Sequence, residues 1–103
     1  MSLTLKIIQS DETLLKIAFT GKLDAINLPN VEMKFHALIN NQNSPVILDF
    51  SEVSFLASLG IRMLLTAAKD VRRQGYDLKI DNASAEIKNV FYMAGLTAML
   101  SDR

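Results

Sequence analysis

Few side chains in this chain are equipped for chemistry. It contains no cysteine and one histidine, His36. Disulfides and thiolate metal sites are thereby excluded. A hydrolytic serine would need a base beside it. His36 sits next to Phe35 in a stretch with helical spacing, where it reads as a surface or packing residue. Asp24 and Asp49 could be drawn as a pair of catalytic carboxylates. However, Asp49 sits near the end of an apolar strand, where an aspartate ordinarily ties down the following loop through backbone amides. Asp24 lies in a turn-forming stretch. No glycine-rich phosphate loop is present, and Gly21 and Gly60 read as backbone-geometry residues. No enzyme, cofactor or metal is expected. The remaining candidate is Ser58, at the start of the longest helical pattern. A helix start offers unpaired N–H groups and the positive end of the dipole. The Ser58 hydroxyl can cap that helix, worth roughly 1 kcal/mol. A phosphate on it would be favoured for the same electrostatic reason.

The elements that must position Ser58 are legible from periodicity. Leu3, Leu5 and Ile7 alternate with polar residues as a half-buried strand, and Ser10 to Thr13 form a polar turn. Leu15, Ile17 and Phe19 mark a second strand, antiparallel to the first and ended by Gly21. Leu28, Val31, Phe35, Leu38 and Ile39 recur at helical spacing, with Asn27 as cap and Pro29 in the first turn. Val46 to Phe50 is a nearly continuous apolar run, the signature of a central strand covered on both faces. A loop over 51–58 follows, then a helix from Ser58 to Arg73 with Ile61, Leu64, Leu65, Ala68 and Val71 inward. Gly75 stops it. Tyr76, Leu78 and Ile80 form a last strand. Ser84 caps a final helix bearing Ile87, Val90, Phe91 and Ala94, which Gly95 ends.

The order is β-β-α-β-α-β-α, an α/β fold with a four-stranded mixed sheet and helices packed against it. Alternating strands and helices imply parallel pairing after the first strand. The carboxyl ends of parallel strands share one edge, where crevices favour ligands. That edge collects Asp24 and Ser58. Around it, Leu56, Ala57, Ser58, Leu59, Gly60, Arg62 and Met63 join Asp24 as candidate partner-binding residues. Met63 falls off the inward stripe and is expected to be exposed beside Ser58. Lys22 and Arg62 are the candidate counter-charges for a phosphate.

The 103 residues are expected to form one domain, 1–103. Eleven basic residues balance eleven acidic ones, so no nucleic-acid footprint exists. The nearest basic cluster, Lys69, Arg72 and Arg73, encloses Asp70 and reads as a solvated helix face. No signal pattern or membrane-length apolar run is present. A cytoplasmic protein without direct membrane insertion is expected.

Three stretches resemble the STAS domain family, shared by anti-sigma-factor antagonists and the cytoplasmic tails of sulphate transporters. Gly21-Lys22-Leu23-Asp24-Ala25 is similar to the family's G-x-L-D-x turn. Val46 to Gly60 resembles its strand, loop and helix start, and Ala94-Gly95-Leu96 is similar to its close. The resemblance implies the fold already read from periodicity. It also implies a regulatory subunit that binds a protein partner, an anti-sigma factor or serine kinase. In antagonist members that kinase phosphorylates the residue at the position of Ser58, which weakens partner binding until a phosphatase removes the phosphate. The chain departs from the family at two positions. The frequent Asp before the acceptor is Ala57, and the frequent Ser or Thr after it is Leu59. The alternative role is therefore a non-phosphorylated STAS subunit of a larger assembly, such as an ABC-type lipid-transport complex with its ATPase or a stress-sensing scaffold. A third is small-ligand sensing at the same edge.

Overall fold

A computed structural model of the chain describes residues 3–101. Its elements are β1 (Thr4–Ser10), β2 (Leu15–Leu23), a 3-10 turn (Leu28–Asn30), α1 (Glu32–Asn40), β3 (Val46–Leu56), α2 (Ser58–Arg73), β4 (Leu78–Asp81), α3 (Ala85–Met93) and a closing 3-10 turn (Thr97–Met99). The expected order is present. The strands lie in the order β1-β2-β3-β4, with β1 antiparallel to β2 and the next two pairings parallel.

The β1–β2 connection is held by Asp11. Its Oδ1 accepts from Thr13 N at 2.8 Å, Thr13 Oγ1 at 2.6 Å and Leu14 N at 3.1 Å. The Thr13 hydroxyl and amide, helped by Gln9, hold the Asp11 carboxyl down at about 2.

Strand order also decides which sheet face is covered. The parallel strands follow one another without reversal, so two right-handed crossovers put α1 and α2 on the same side. The buried residues of all three helices share one cluster with Leu15, Ile17 and Phe19 of β2, Val46, Leu48 and Phe50 of β3, and Leu78 and Ile80 of β4. The alternate positions Lys16, Ala18, Ile47, Asp49, Lys79 and Asp81 are only half-buried and belong to an open face. The expectation that Val46–Phe50 is covered on both faces is therefore corrected: β3 is covered on one. Ile7, expected inward, is exposed, because β1 is an edge strand whose pairing shifts register between Ile7 and Gln9.

Phe19 is the hub of the core. Its ring meets Phe35 of α1 at 5.4 Å between centroids and Phe50 of β3 at 6.1 Å, both edge-on. Such pairs add about 0.5–1.5 kcal/mol beyond the area they bury. The first helical pattern is divided: the 3-10 turn takes Leu28 to Asn30, and α1 begins at Glu32. Asn27 precedes that turn without a side-chain cap, because its amide donates to Asp24 instead. In the last helix Ser84 caps as expected, accepting from Ile87 N at 3.2 Å.

The face of α2 that turns inward coincides with the expected one at Leu64 and Val71 and is otherwise rotated from it. Gly60, Met63, Leu64, Ala67 and Val71 are buried, whereas Ile61, Leu65 and Ala68 are half-buried. Both stripes are apolar at helical spacing, so periodicity alone cannot rank them. Gly60 decides. An ideal Cβ there would lie 2.8 Å from the Leu23 carbonyl oxygen and 2.8 Å from Leu56 Cδ1, so only a residue without one lets α2 sit this close to β2 and β3.

Candidate partner-binding site around Ser58

The strands leading to Ser58 are longer than their apolar patterns. β2 continues through Gly21, at φ +117°, to Leu23, so Gly21 does not end it. β3 continues to Leu56, so most of the expected loop over 51–58 is strand. Two register shifts carry the pair outward, placing Lys22 opposite Phe55 and Leu23 opposite Leu56. Ala57 N then donates to Leu23 O at 3.0 Å. This bond ties the start of α2 to the end of β2.

Ala57, not Ser58, occupies the cap position of α2, with extended backbone at φ −95° and ψ 171° and no side-chain cap bond. Ser58 is the first helical residue and its side chain is exposed. The expectation that its hydroxyl caps the helix is corrected. The first intrahelical bond runs from Ile61 N to Ala57 O at 3.1 Å. The amides of Ser58, Leu59 and Gly60 precede it and lack helical acceptors. An alanine cannot supply one, so the helix start keeps its donors.

Asp24 reaches the same edge, and there it forms a turn. Its Oδ1 accepts from Asn27 N at 2.9 Å and Asn27 Nδ2 at 2.8 Å. The Asn27 amide is the main influence holding its carboxyl below the usual range; partial burial opposes this, and Lys22 assists weakly. Asp49 lies back along β3 on the open face. Desolvation raises its pKa, but the amides of Ser51 at 2.9 Å and Asn82 at 3.3 Å outweigh that and hold it low. Asn82 adopts φ +61°, a conformation asparagine tolerates. The two aspartates are thus separate, each occupied with its own loop. His36 is half-exposed on α1, 3.9 Å from Glu32.

Three of the candidate binding residues are buried: Leu56, Gly60 and Met63. Met63 is 3% exposed, which corrects the expectation that it faces solvent. The exposed apolar side chains at this edge are Leu59 at 44%, Phe55 at 49% and Ile26 at 85%. The last two were not singled out in the sequence. Phe55 lay in an expected loop, and the outward turn of Ile26 depends on the Asp24–Asn27 bonds. Lys22 and Arg62 are both exposed, and Arg62 stands one helical turn beyond Ser58.

Because the strand order never reverses, the sheet has no switch-point crevice. The Ser58 edge instead carries two shallow grooves. One, of about 380 Å³, runs between α1 and α2 past Leu59 and Arg62. The other, of about 280 Å³, runs between Phe55 and α3 past Glu86 and Val90. Among the described residues no helix is long and apolar enough to cross a membrane. The basic cluster of α2 is largely neutralised, with Arg73 paired to Asp70 and Arg72 to Asp77.

The same architecture recurs in known proteins. An anti-sigma-B factor antagonist of Listeria monocytogenes is 23% identical over 100 residues, 97% of this chain and 88% of the relative. The anti-sigma factor antagonist SpoIIAA in its unphosphorylated form superposes with a TM-score of 0.80 at 20% identity, covering 99% of this chain and 88% of that one. The phosphorylated form of SpoIIAA from Bacillus gives 0.72 at 20% identity, covering 99% and 91%. The STAS domain family matches residues 5–101. That match spans nearly all the strands and helices around Ser58, and with the mixed four-stranded sheet it places this chain in the STAS domain family.

Proposed function

We propose that this chain is a regulatory protein-binding module of the anti-sigma-factor antagonist type, switched by phosphorylation of Ser58. It acts in the cytoplasm as a single domain, performs no catalysis of its own, and engages an anti-sigma factor or serine kinase. The observation that carries this reading is the uncapped start of α2. Ser58 is exposed there, beside amides that lack acceptors, on an edge bearing Ile26, Phe55 and Leu59. An edge with exposed apolar side chains and no deep crevice suits a protein surface better than a small substrate. A phosphate on Ser58 would bring about −1.5 to −2 charges to those amides without disturbing buried groups. The names of the curated relatives support the same assignment.

The test is transfer of phosphate from ATP by purified anti-sigma-type serine kinases of the host. One phosphate per chain, abolished by Ser58→Ala, is the expected result. Failure of every such kinase to bind or modify the chain counts against the reading.

Ala57 and Leu59 favour a second reading, a STAS subunit held constitutively in a larger assembly such as a lipid-transport complex or scaffold. In that case a complex with the ATPase or scaffold protein survives Ser58→Ala and is lost on Leu59→Glu.

A further inference from the structure

The groove between α1 and α2 is the feature that the Ser58 reading leaves unused. Its α2 wall is formed by Leu59, Arg62, Met63 and Thr66, spaced i, i+3, i+4, i+7, and so extends roughly 10 Å along the helix. Leu28 and Pro29 add apolar surface from the 3-10 turn, and Glu32 and His36 line the far side. The groove is thus an apolar trough with charges at its rim, and it begins at the residue after Ser58. The three arginines of α2 differ in their company. Arg72 and Arg73 pair with Asp77 and Asp70, whereas Arg62 has no carboxylate within 4.0 Å among the described residues. Glu32, across the groove, lies 3.9 Å from His36 and more than 4.0 Å from Arg62. An apolar trough beside an unpaired exposed guanidinium is complementary to an apolar side chain accompanied by a carboxylate.

We propose that the protein partner engaging Ser58 inserts an apolar side chain into this groove and sets a carboxylate on Arg62, and that a phosphate on Ser58 competes for the same guanidinium. The proposal rests on the partner-binding reading above and names the chemistry of the contact. Ser58 and Arg62 are four residues apart on one helix, so a phosphoserine at 58 lies within reach of the Arg62 side chain. The phosphate offers more charge and three acceptor oxygens, and it is already tethered. It therefore removes the guanidinium from the partner and leaves the partner's carboxylate facing like charge. Release then needs no unfolding of the chain. Electrostatic repulsion and loss of one charge-assisted contact suffice.

The experiment uses the purified kinase or anti-sigma factor that binds the wild-type chain in the assay above, with dissociation constants measured by calorimetry. Arg62→Ala and Thr66→Trp, the second of which fills the groove from an exposed position, should each weaken binding about tenfold or more. Ser58→Glu should weaken wild-type binding by a similar factor and cost clearly less on the Arg62→Ala background, because the guanidinium it competes for is already gone and only repulsion of the partner's carboxylate remains. Arg62→Lys should recover part of the loss. Circular dichroism and thermal melts confirm that the variants fold. If the partner binds Arg62→Ala and Thr66→Trp within about twofold of wild type while Phe55→Glu, outside the groove on the same edge, abolishes binding, the groove is overturned and the Ser58 surface stands. If Ser58→Glu costs the same with and without Arg62, the competition is overturned. If no candidate binds the wild-type chain, the Ser58 reading and the groove fall together.

Discussion

Gly60 sits against the main chain of Leu23 so closely that a Cβ on it would come within 2.8 Å of the Leu23 carbonyl oxygen. That oxygen also accepts from Ala57 N at 3.0 Å. The last residue of β2 and the first turn of α2 are therefore one rigid unit, and Ser58 is positioned by it. Gly60→Ala should destabilise the protein by about 1–3 kcal/mol, read as a lowered urea midpoint at unchanged slope. An unchanged midpoint would show that the helix can withdraw from β2 without cost.

Ser58 itself contributes little to stability. Its side chain caps nothing, since the cap position belongs to Ala57. Ser58→Ala should change unfolding free energy by no more than about 0.5 kcal/mol. Ser58→Glu should stabilise slightly, by about 0.3–1 kcal/mol at low ionic strength, because a carboxylate near the helix N-terminus opposes the dipole favourably. Salt should erase that gain. A loss of about 1 kcal/mol or more in Ser58→Ala would reveal a capping role after all.

Acid should destabilise the protein in a defined window. Asp11, Asp24 and Asp49 all have folded-state pKa values held below their ordinary ones, Asp11 at about 2. The unfolded chain then binds protons first, so stability is fully present above the unfolded carboxylate range near pH 4 and declines as pH falls towards 2. Urea midpoints measured from pH 7 to pH 2 should be flat at the upper end and fall below about pH 5. Asp11→Asn should make the acid limb shallower. A midpoint independent of pH down to 2 would contradict the hydrogen-bonded roles assigned to these carboxylates.

The aromatic hub sets the largest single cost. Phe19 is fully buried and meets both Phe35 and Phe50. Phe19→Ala should cost about 3–5 kcal/mol and Phe19→Leu much less, because leucine refills most of the volume. Equal losses in the two variants would mean that ring geometry, not volume, dominates.

Ser84→Ala isolates a local effect. Removing the bond from Ile87 N to Ser84 Oγ should cost about 1 kcal/mol and leave partner binding unchanged. A binding defect with intact folding would place α3 in the interface.

Much of this protein was determined by its sequence alone. Alternation in Leu15, Ile17 and Phe19, helical spacing from Ser58 to Arg73, and the Ser84 cap are local signals, because pleat, turn and cap chemistry act over a few residues. They were sufficient for the order of elements, the mixed sheet and the placing of Ser58 at a helix start. Tertiary structure decided what depends on neighbours distant in sequence. Pairing with β2 drew residues 51–56 into β3 although their apolar pattern had lapsed, since main-chain bonds extend a ladder regardless of side-chain type. Strand order left one sheet face open. Close approach at Gly60 turned Met63 and Ala67 inward and left Ile61, Leu65 and Ala68 half-buried, a choice between two apolar stripes that helical periodicity leaves degenerate. Around Ser58, Leu59 and Arg62 follow from the helix itself, whereas the exposed Ile26 and Phe55 are brought to that edge by contacts that no local pattern encodes.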